Sequence, residues 1–443
     1  MPGALLTDLY ELNMAASYLR HDMTAPATFS LYVRNLPPNR GFLVAAGLEA
    51  CLDALESFSF DEDELGYLRT IGFDEQDIEA FRGVRFDGEV WAVHEGRVVH
   101  AEEPIMEVTA SLPAAQLVET LLLNQVTLHT TLATKAARYR MAALGKDLVD
   151  FAFRRTHGRE AAMAAARDSA IVGFAATSNV EAARRYGLQV AGTMAHSFIE
   201  AFPSEIEAFR AFAEDHPDRT TFLVDTYDTL NGVGNAIDVV KAMRLTGRIG
   251  VRLDSGDLDA LARGARKLLD DSGLTDARIF ASGGLDELEV EKLAADGAPV
   301  DAFGIGTQMG VSADAPFVDS VYKLTDIDGR PVLKLSTGKA TAPGRKQVWR
   351  GPDADVIALR DEAGPPGTEP LLEVVMGDGV RKGSAPSIDE MRGRFDADLK
   401  ALPVEARQLR GAKPVSVHRS EALMALTDST REDVLRRSGP SES

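Results

Sequence analysis

The stretch RIFASGGLDE, residues 278–287, decides the fold of this 443-residue chain. Four residues that suit a buried strand lead into Ser282 and two glycines, and a helical pattern then begins at Asp286. The stretch AFGIGTQM, residues 302–309, repeats this order one unit later. A strand that ends in small residues and leads into a helix is the repeating unit of a parallel α/β sheet.

Similar short apolar runs occur from about Asp147 onwards, and each is followed by small or polar residues and a helical pattern. The runs are Leu148–Phe153, Leu188–Met194, Thr221–Val224, Ile249–Leu253, Arg278–Ala281 and Ala302–Ile305. Most of them are spaced by roughly 25 residues, close to the length of one strand plus one helix. Six to eight such units would either close a (β/α) barrel or form an open parallel sheet.

The composition excludes several classes of partner. Acidic residues outnumber basic ones 68 to 48, and a net charge of -20 is the wrong sign for binding nucleic acid or anionic membranes. Cys51 is the only cysteine, so we expect no intrachain disulfide and no multi-cysteine zinc site. Residues 1–14 include Asp8 and Glu11 but no basic residue, which argues against a signal peptide. We expect a cytoplasmic protein without nucleic-acid or membrane partners.

The glycine-rich turns indicate a phosphate ligand. Glycines let a phosphate approach backbone N–H groups, and the dipole of the following helix favours an anion. One such turn is a weak signal because tight turns use glycine anyway, but two on consecutive units are typical of the phosphate site of a barrel. The candidate phosphate-binding residues are Ser282, Gly283, Gly284, Gly304, Gly306 and Thr307.

Polar side chains follow several other runs. Arg252 and Asp254 alternate, so they share one side of a strand, where they could bind an anion, a sugar hydroxyl or Mg²⁺. A structural ion pair is the alternative. Asp225 and Asp228 follow another run, with helix capping as the alternative. His196 follows a third run, where a lone histidine is more often a hydrogen-bonded polar group without a chemical role.

An arginine pair follows the first run. Phe151 could stack on a planar ring, and Arg154 could hold a carboxylate in a fork. A solvated basic pair, Arg154 and Arg155, is equally consistent with the sequence. A basic loop that could attract a pyrophosphate comes later, at Lys334, Lys339, Arg345 and Lys346, although loops of this kind are more often merely solvated.

Taken in order, these segments resemble the nicotinate phosphoribosyltransferase family of type II phosphoribosyltransferases. The resemblance covers roughly residues 5–350 and lies in LLTDLYELNM, FSLYVRNLPPNRGFLVAAGLE, DFAFRRTHG, GTMAHSF, FLVDTYDT, VRLDSGDL, ASGGLDE, FGIGTQM and the KLSTGK region. It implies the α/β fold class, with an irregular (β/α) barrel and a composite α+β domain. We expect an amino-terminal α+β domain over residues 1–145, the barrel over residues 146–349, and a carboxy-terminal segment over residues 350–443 that packs back on the first domain.

The resemblance also implies an activity. Such an enzyme condenses nicotinate with 5-phosphoribosyl 1-pyrophosphate (PRPP) to nicotinate mononucleotide and pyrophosphate, in the salvage of NAD. Mg²⁺ is the expected cofactor, and ATP is the expected co-substrate, hydrolysed through a phosphohistidine. The expected assembly is a homodimer whose active site uses both subunits.

The resemblance assigns roles by motif position. His196 would be the phosphorylated histidine. Arg252 and Asp254 would also be catalytic residues, and Asp254 would bind the ribose hydroxyls. The glycine-turn residues named above would hold phosphates. The nicotinate-binding residues would be Phe151, Arg154, Thr193, Arg252 and Ser178, together with the partner subunit's Tyr10.

Ser178 bears on the choice of pyridine. Nicotinamide-using relatives carry an aspartate at the corresponding place to hold the amide, and a carboxylate there would repel nicotinate, whereas a serine does not. Nicotinate is therefore favoured, with a nicotinamide phosphoribosyltransferase as the main alternative and a quinolinate enzyme as a less favoured one. A barrel sugar-phosphate lyase would need a Schiff-base lysine at a strand end, where none occurs. A metabolite-binding regulator would have lost the chemical residues that this chain retains.

Overall fold

A computed structural model describes residues 3–335 and 341–438 of the chain. The chain divides into two compact units: the described parts of residues 1–131 and 317–443 form unit 1, and residues 132–316 form unit 2. In the described residues, no helix is both long and apolar enough to cross a membrane.

The helices follow one another along both units. In chain order they are α1 (Leu9–Arg20), α2 (Leu48–Glu56), α3 (Glu62–Thr70), α4 (Glu75–Arg82), α5 (Leu112–Leu117), α6 (Glu119–Ala142), α7 (Arg159–Ile171), α8 (Val180–Tyr186), α9 (His196–Glu200), α10 (Glu205–Asp215), α11 (Thr229–Met243), α12 (Leu258–Asp271), α13 (Glu287–Ala295), α14 (Thr307–Gly310), α15 (Ile388–Ala401) and α16 (Glu421–Ser438). Short 3-10 turns lie at Phe153–Arg155 and Val404–Arg407.

The strands are shorter than most of the helices. In chain order they are β1 (Pro26–Val33), β2 (Leu43–Val44), β3 (Glu89–Val93), β4 (Val98–Val99), β5 (Pro104–Ser111), β6 (Asp147–Asp150), β7 (Ala176–Thr177), β8 (Arg219–Leu223), β9 (Arg248–Leu253), β10 (Arg278–Ala281), β11 (Ala302–Ile305), β12 (Ser320–Ile327), β13 (Arg330–Pro331), β14 (Lys346–Arg350), β15 (Ala354–Leu359), β16 (Glu369–Pro370), β17 (Leu372–Gly377), β18 (Val380–Arg381) and β19 (Ser416–Arg419).

Unit 2 is built on a parallel sheet with the strand order β7-β6-β11-β10-β9-β8. Every neighbouring pair in it is parallel. Strand β11 is buried along its whole length, as expected for a central strand that is covered on both faces. Because all the strands run the same way, their carboxyl ends lie at one edge of the sheet. The predicted strand–helix units are thus present in a mixed α/β fold.

One predicted strand is wrong. The run Leu188–Met194 makes a single parallel bridge, between Val190 and Thr177, next to the edge strand β7. Val190 is 51% exposed, so the run lacks the cover on both faces that makes an apolar strand favourable. Among the described residues, hydrogen bonds do not join β7 to β8, and closure into an irregular barrel therefore stays a prediction.

Unit 1 contains an antiparallel sheet with the order β13-β12-β1-β5-β3-β17-β18 and a smaller sheet with the order β16-β14-β15-β19. Strand β17 pairs with β3, so segments from both ends of the chain share one sheet. Apolar side chains of β1, β3 and β5 pack with those of helices α1, α2, α5 and the amino-terminal half of α6 in one core. The core is therefore assembled from distant parts of the sequence.

The bounds of the units differ from those of the predicted domains. The described residues within 317–349, predicted as part of the barrel, lie in unit 1 because β12 pairs with β1 from Ser320 to Ile327. Strand β14 pairs with β15 and β16 in the smaller sheet of the same unit. Backbone N–H and C=O groups that leave water need partners, so these pairings fix where the segment belongs. The other bound falls inside helix α6, between Thr131 and Leu132, and not at residue 145.

Candidate active site

Arg252 lies at the centre of a hydrogen-bonded cluster at the carboxyl edge of the parallel sheet. Its guanidinium donates from Nε to Ser282 Oγ at 2.8 Å, from Nη1 to Thr193 Oγ1 at 3.2 Å, and from Nη2 to Asp254 Oδ1 at 2.6 Å. Ser282 Oγ also donates to Asp254. The guanidinium carbon lies 5.4 Å from the centroid of the Phe151 ring. The structure thus brings five of the predicted site residues together.

Strand register explains why Arg252 and Ser282 meet. Arg252 pairs with Phe280 and Leu253 pairs with Ala281 in the β9–β10 ladder, so Ser282 follows one position beyond it. The ladder continues for one more bond, because Ser282 N donates to Leu253 O at 2.8 Å. The Arg252 side chain is 13% exposed, which strengthens its charge-assisted hydrogen bonds relative to a solvated pair.

His196 lies beside this cluster as the first residue of α9. Its Nδ1 is 3.1 Å from Thr226 Oγ1, and its Nε2 is 3.8 Å from Asp254 Oδ2. The histidine side chain is 41% exposed, so a solvent-borne ligand can contact it. Its surroundings therefore suit a chemical role better than that of a buried structural histidine.

Asp254 remains a carboxylate at neutral pH. Burial alone would raise its pKa, but the hydrogen bond from Ser282 and the charge and hydrogen bond of Arg252 outweigh burial and hold the pKa below its usual range. Its backbone N–H donates to Asp225 Oδ2 at 3.0 Å, and Ser255 Oγ donates to the same oxygen at 2.6 Å. Asp225 therefore fixes the loop that carries Asp254.

The first glycine turn passes directly over the backbone of Asp254. Gly283 and Gly284 have φ angles of +109° and +81°, which favour glycine. A Cβ atom at Gly283 would lie 1.9 Å from the carbonyl oxygen of Asp254. The helix dipole predicted to favour a phosphate here is already engaged, because the Asp286 carboxylate caps α13 by accepting from the N–H groups of Leu288 and Glu289. The N–H groups of the turn itself are the donors that remain.

The second glycine segment has two parts. Gly304 lies inside β11, where a Cβ atom would be 2.8 Å from ring carbons of both Phe151 and Phe280. Its missing side chain thus makes room for two rings whose centroids are 5.6 Å apart. Gly306 and Thr307 follow the strand, and Thr307 is the first residue of α14. Phosphate binding by these three residues stays a prediction.

Comparisons with known proteins identify the family of the chain. The model of the nicotinate phosphoribosyltransferase N-terminal domain matches residues 5–127, and that of the nicotinate phosphoribosyltransferase family matches residues 147–348. A nicotinate phosphoribosyltransferase of Mycobacterium tuberculosis is 47% identical over 416 residues, which cover 92% of this chain and 89% of the relative. The chain belongs to the nicotinate phosphoribosyltransferase family.

Further members of the family extend the comparison. The nicotinate phosphoribosyltransferase of Bacillus subtilis is 45% identical over 377 residues, with 81% of this chain and 76% of the relative covered. The crystal structure of the human nicotinic acid phosphoribosyltransferase superposes with a TM-score of 0.87 at 29% identity, covering 96% of this chain and 99% of that one. Similarity therefore includes the carboxy-terminal segment that the sequence motifs left out.

Three residues that the family resemblance assigned to nicotinate lie outside the hydrogen-bonded cluster. Tyr10 lies on α1 in unit 1, is 47% exposed, and donates from its hydroxyl to Glu11 Oε1 at 3.2 Å. Arg154 lies exposed on the 3-10 turn after β6, without an ion pair in the described part of the chain. Ser178 is half-buried after β7, and its N–H donates to the carbonyl oxygen of Asp150 at 2.8 Å.

The predicted basic loop is only partly a loop. Lys339 lies outside the described residues, and Lys334 and Arg345 are exposed. Lys346 is buried in β14, with its Nζ 3.1 Å from Glu107 Oε1, and so is not available to a ligand. Lys346 belongs to a β-strand, and its side chain points into unit 1. The run of basic residues in the sequence did not reveal this burial.

The segment after β8 contributes more contacts to the site than its sequence pattern indicated. Asp228 is the helix cap that was considered as its alternative role, since it accepts from Asn231 N at 2.9 Å. Asp225 instead fixes the Asp254 loop, and Thr226 contacts His196. The same strand-end rule that selected Asp254 also selected Asp225, but with helix capping as its alternative role. The role of Thr226 depends on a contact over 30 residues of sequence, which no local pattern indicates.

Proposed function

We propose that this chain transfers the phosphoribosyl group of PRPP to nicotinate, giving nicotinate mononucleotide and pyrophosphate, with coupling to ATP hydrolysis. The observation that carries the proposal is the cluster of Arg252, Asp254, Ser282 and Thr193 beside Phe151. It combines a guanidinium, an ionised carboxylate and an aromatic face at the edge of the sheet where the glycine turns begin. Membership of the family supports the same reaction.

Arg252 is suited to hold the nicotinate carboxylate. A guanidinium has five N–H donors, and three of them are used by Ser282, Thr193 and Asp254. One N–H on each of Nη1 and Nη2 remains, which is the pair that binds a carboxylate in a fork. The ring of Phe151 offers a face for the pyridine next to that fork. Arg154 and the partner subunit's Tyr10 would complete this site in a homodimer.

Asp254 and the glycine turns are suited to PRPP. Asp254 would accept hydrogen bonds from the ribose hydroxyls, and the N–H groups after Ser282 and after Gly306 would hold phosphates. The bond between C1 of the ribose and the pyrophosphate oxygen breaks, and the bond to the pyridine nitrogen forms. The ionised Asp254 stabilises the positive charge that develops on the ribose. No general base is required, because the pyridine nitrogen carries no proton, and positioning dominates the rate.

Asp225 is suited to hold Mg²⁺ with the phosphates. Mg²⁺ in phosphate sites is usually bound by one or two carboxylates together with substrate oxygens and water. The described residues contain no group of three or more metal-ligating side chains that could hold the ion without substrate oxygens. Oδ1 of Asp225, however, is buried without a hydrogen-bond partner among the same residues. A cation would satisfy that oxygen. When bound, Mg²⁺ would neutralise charge on the departing pyrophosphate.

His196 is suited to accept the γ-phosphoryl group of ATP. A ring nitrogen would form the new bond to phosphorus while the bond to the β-phosphate oxygen breaks and ADP leaves. Water would later cleave the phosphohistidine and release phosphate. Neutral imidazole is nucleophilic near pH 7, and the Thr226 contact orients the ring. Coupling requires that phosphorylation changes the relative stability of two enzyme states.

A coupled assay tests the main proposal. Purified protein with nicotinate, PRPP and Mg²⁺ should form nicotinate mononucleotide, and ATP should increase that formation. Absence of the product under both conditions would overturn the proposal. With γ-labelled ATP, the protein should become an acid-labile, base-stable phosphoprotein, and His196→Ala should abolish the label. Equal labelling of that variant would place the phosphate on another residue.

Ser178 separates nicotinate from nicotinamide as the substrate. It lies directly after β7 and binds the backbone of Asp150, the residue before Phe151. A carboxylate introduced by Ser178→Asp should repel nicotinate and raise its KM, with a smaller effect on nicotinamide. Equal use of both pyridines by the unmodified protein would count against nicotinate as the specific substrate, with a nicotinamide phosphoribosyltransferase as the alternative function.

A further inference from the structure

A buried polar cluster occupies one face of α6 within unit 2, and the proposed reaction does not use it directly. Lys135, Arg138 and Tyr139 are spaced by three and four residues, so they share one face of the helix. Their side chains are 2%, 5% and 0% exposed. Lys135 and Arg138 are charged, and burying an ion this deeply costs roughly several kcal/mol unless it is paired with an opposite charge. Their binding partners therefore decide whether this burial is favourable.

The cluster binds the segment that directly follows the first glycine turn. Arg138 Nε donates to Glu287 Oε1 at 2.7 Å, and Lys135 Nζ donates to Glu287 Oε2. The hydroxyl of Tyr139 donates to the carbonyl oxygen of Leu285 at 3.0 Å. Leu285 is the first residue after Gly284, so the backbone is held at the point where it leaves the turn.

Lys135 also binds the segment that follows the second turn. Its Nζ lies 2.8 Å from Oδ1 of Asp314, four residues after the end of α14. The turns themselves follow β10 and β11, which are parallel neighbours in the sheet. One buried ammonium thus connects the two chain segments that leave the proposed phosphate turns. This connection limits how far the two turns can separate.

The charges of the cluster are balanced and fixed. Burial alone would raise the pKa of Glu287, but the charge of Lys135 and the hydrogen bonds from Lys135 and Arg138 lower it, so the carboxylate is ionised. Asp314 provides the second negative charge. Buried ion networks add little stability compared with apolar packing, whereas they can fix a single geometry. Geometry is therefore the property that this cluster supplies.

We propose that Lys135, Arg138 and Tyr139 are positioning residues that set the conformation and spacing of the two glycine turns for PRPP. The inference rests on the proposed function, because that function gives the turns their ligand. The three side chains are at most 5% exposed, so their proposed role is positioning and not contact with the substrate. They act through Leu285, Glu287 and Asp314, and they should affect PRPP much more than nicotinate.

The decisive variant is Tyr139→Phe, with Tyr322→Phe as its matched control. Tyr322 is also fully buried and donates to a backbone carbonyl, that of Ala115 at 2.9 Å, but in unit 1. Each substitution removes one hydroxyl and one hydrogen bond, so both should lower the unfolding temperature by similar amounts. Only Tyr139→Phe should weaken PRPP binding, by about fivefold or more, with the KM for nicotinate changed less than twofold.

PRPP binding is measured by calorimetry with Mg²⁺ in the absence of nicotinate, and both KM values by steady-state kinetics. Equal PRPP affinity of Tyr139→Phe and Tyr322→Phe would overturn the inference, as would failure of the unmodified protein to bind PRPP. The proposed function fails separately, when PRPP binds but nicotinate is not converted. Asp314→Asn provides a second variant, since Asp314 is 42% exposed and the buried Lys135 keeps its ion pair with Glu287 when the Asp314 charge is removed. It should also raise the KM for PRPP selectively, and an unchanged value would contradict the role of Lys135.

Discussion

The variant Gly283→Ala should show that activity depends on the position of the first glycine turn and not only on the stability lost through backbone strain. A Cβ atom at this position would lie 1.9 Å from the carbonyl oxygen of Asp254, whereas real contacts of this kind are not shorter than 3.0 Å. The turn would therefore have to move by about 1 Å, the difference between these distances. A misplacement of about 1 Å at a reacting centre can lower the rate by about 100-fold.

The matched control is Gly72→Ala. Gly72 has a φ of +107°, close to the +109° of Gly283, but nothing lies within 4 Å of the added Cβ atom. Both variants should lose roughly 1–2 kcal/mol of unfolding free energy from the backbone strain of a non-glycine residue. Gly283→Ala loses more, because the turn is also displaced, and its value of kcat/KM for PRPP should fall by about 100-fold.

Urea unfolding gives the free energies of both variants, and steady-state kinetics with PRPP varied at saturating nicotinate gives kcat/KM. Gly284→Ala adds an intermediate case within the same turn, since its φ is +81° and its Cβ atom would meet no protein atom within 4 Å. If Gly283→Ala retained a kcat/KM within twofold of that of Gly72→Ala, the first glycine turn would not be a phosphate site.

Three further predictions concern buried charge. Arg252→Lys keeps the positive charge but loses the two parallel N–H donors that bind a carboxylate in a fork. The value of kcat/KM for nicotinate should therefore fall by about 100-fold or more, in line with roughly 1.5–3 kcal/mol for each charged hydrogen bond. Steady-state kinetics with nicotinate varied measures this value, and an unchanged kcat/KM would rule out a nicotinate fork. Because the pKa of Asp254 is lowered in the folded protein, its carboxylate stabilises the fold at pH values above the unfolded pKa of about 3.9. This stabilisation is lost as the pH falls through the folded pKa. The difference in unfolding free energy between Asp254→Asn and the parent should therefore be constant from about pH 8 to about pH 5 and narrow below about pH 4, and a constant difference at all pH values would contradict this assignment. Burial and the neighbouring Asp355 raise the pKa of Glu103 well above its ordinary value, which destabilises the fold as the pH rises beyond the unfolded value of about 4.3. Glu103→Gln should thus raise the unfolding temperature more at pH 8 than at pH 5, and equal changes would show that Glu103 ionises normally.

The sequence by itself determined the local units and the chemical groups. Apolar runs followed by glycines and a capping residue were sufficient for β10, the turn at Gly283 and helix α13, because each signal lies within a few residues. Since parallel strands end at one edge, the rule that chemistry follows a strand also selected Arg252, Asp254 and Ser282. The exposed run around Val190 was wrongly predicted as a strand, because hydrophobicity alone does not show whether a neighbouring layer will cover a strand.

Only the tertiary structure decided which groups meet. Arg252 binds Thr193 across 59 residues of sequence, and Lys135 binds Glu287 across 152. Such partners depend on strand register and helix packing, which local propensity does not encode. For the same reason the sequence did not show that β12 pairs with β1, a pairing that satisfies the backbone hydrogen bonds of Ser320–Ile327 in unit 1. Short-range patterns specify the elements, and long-range hydrogen bonds and burial specify the site.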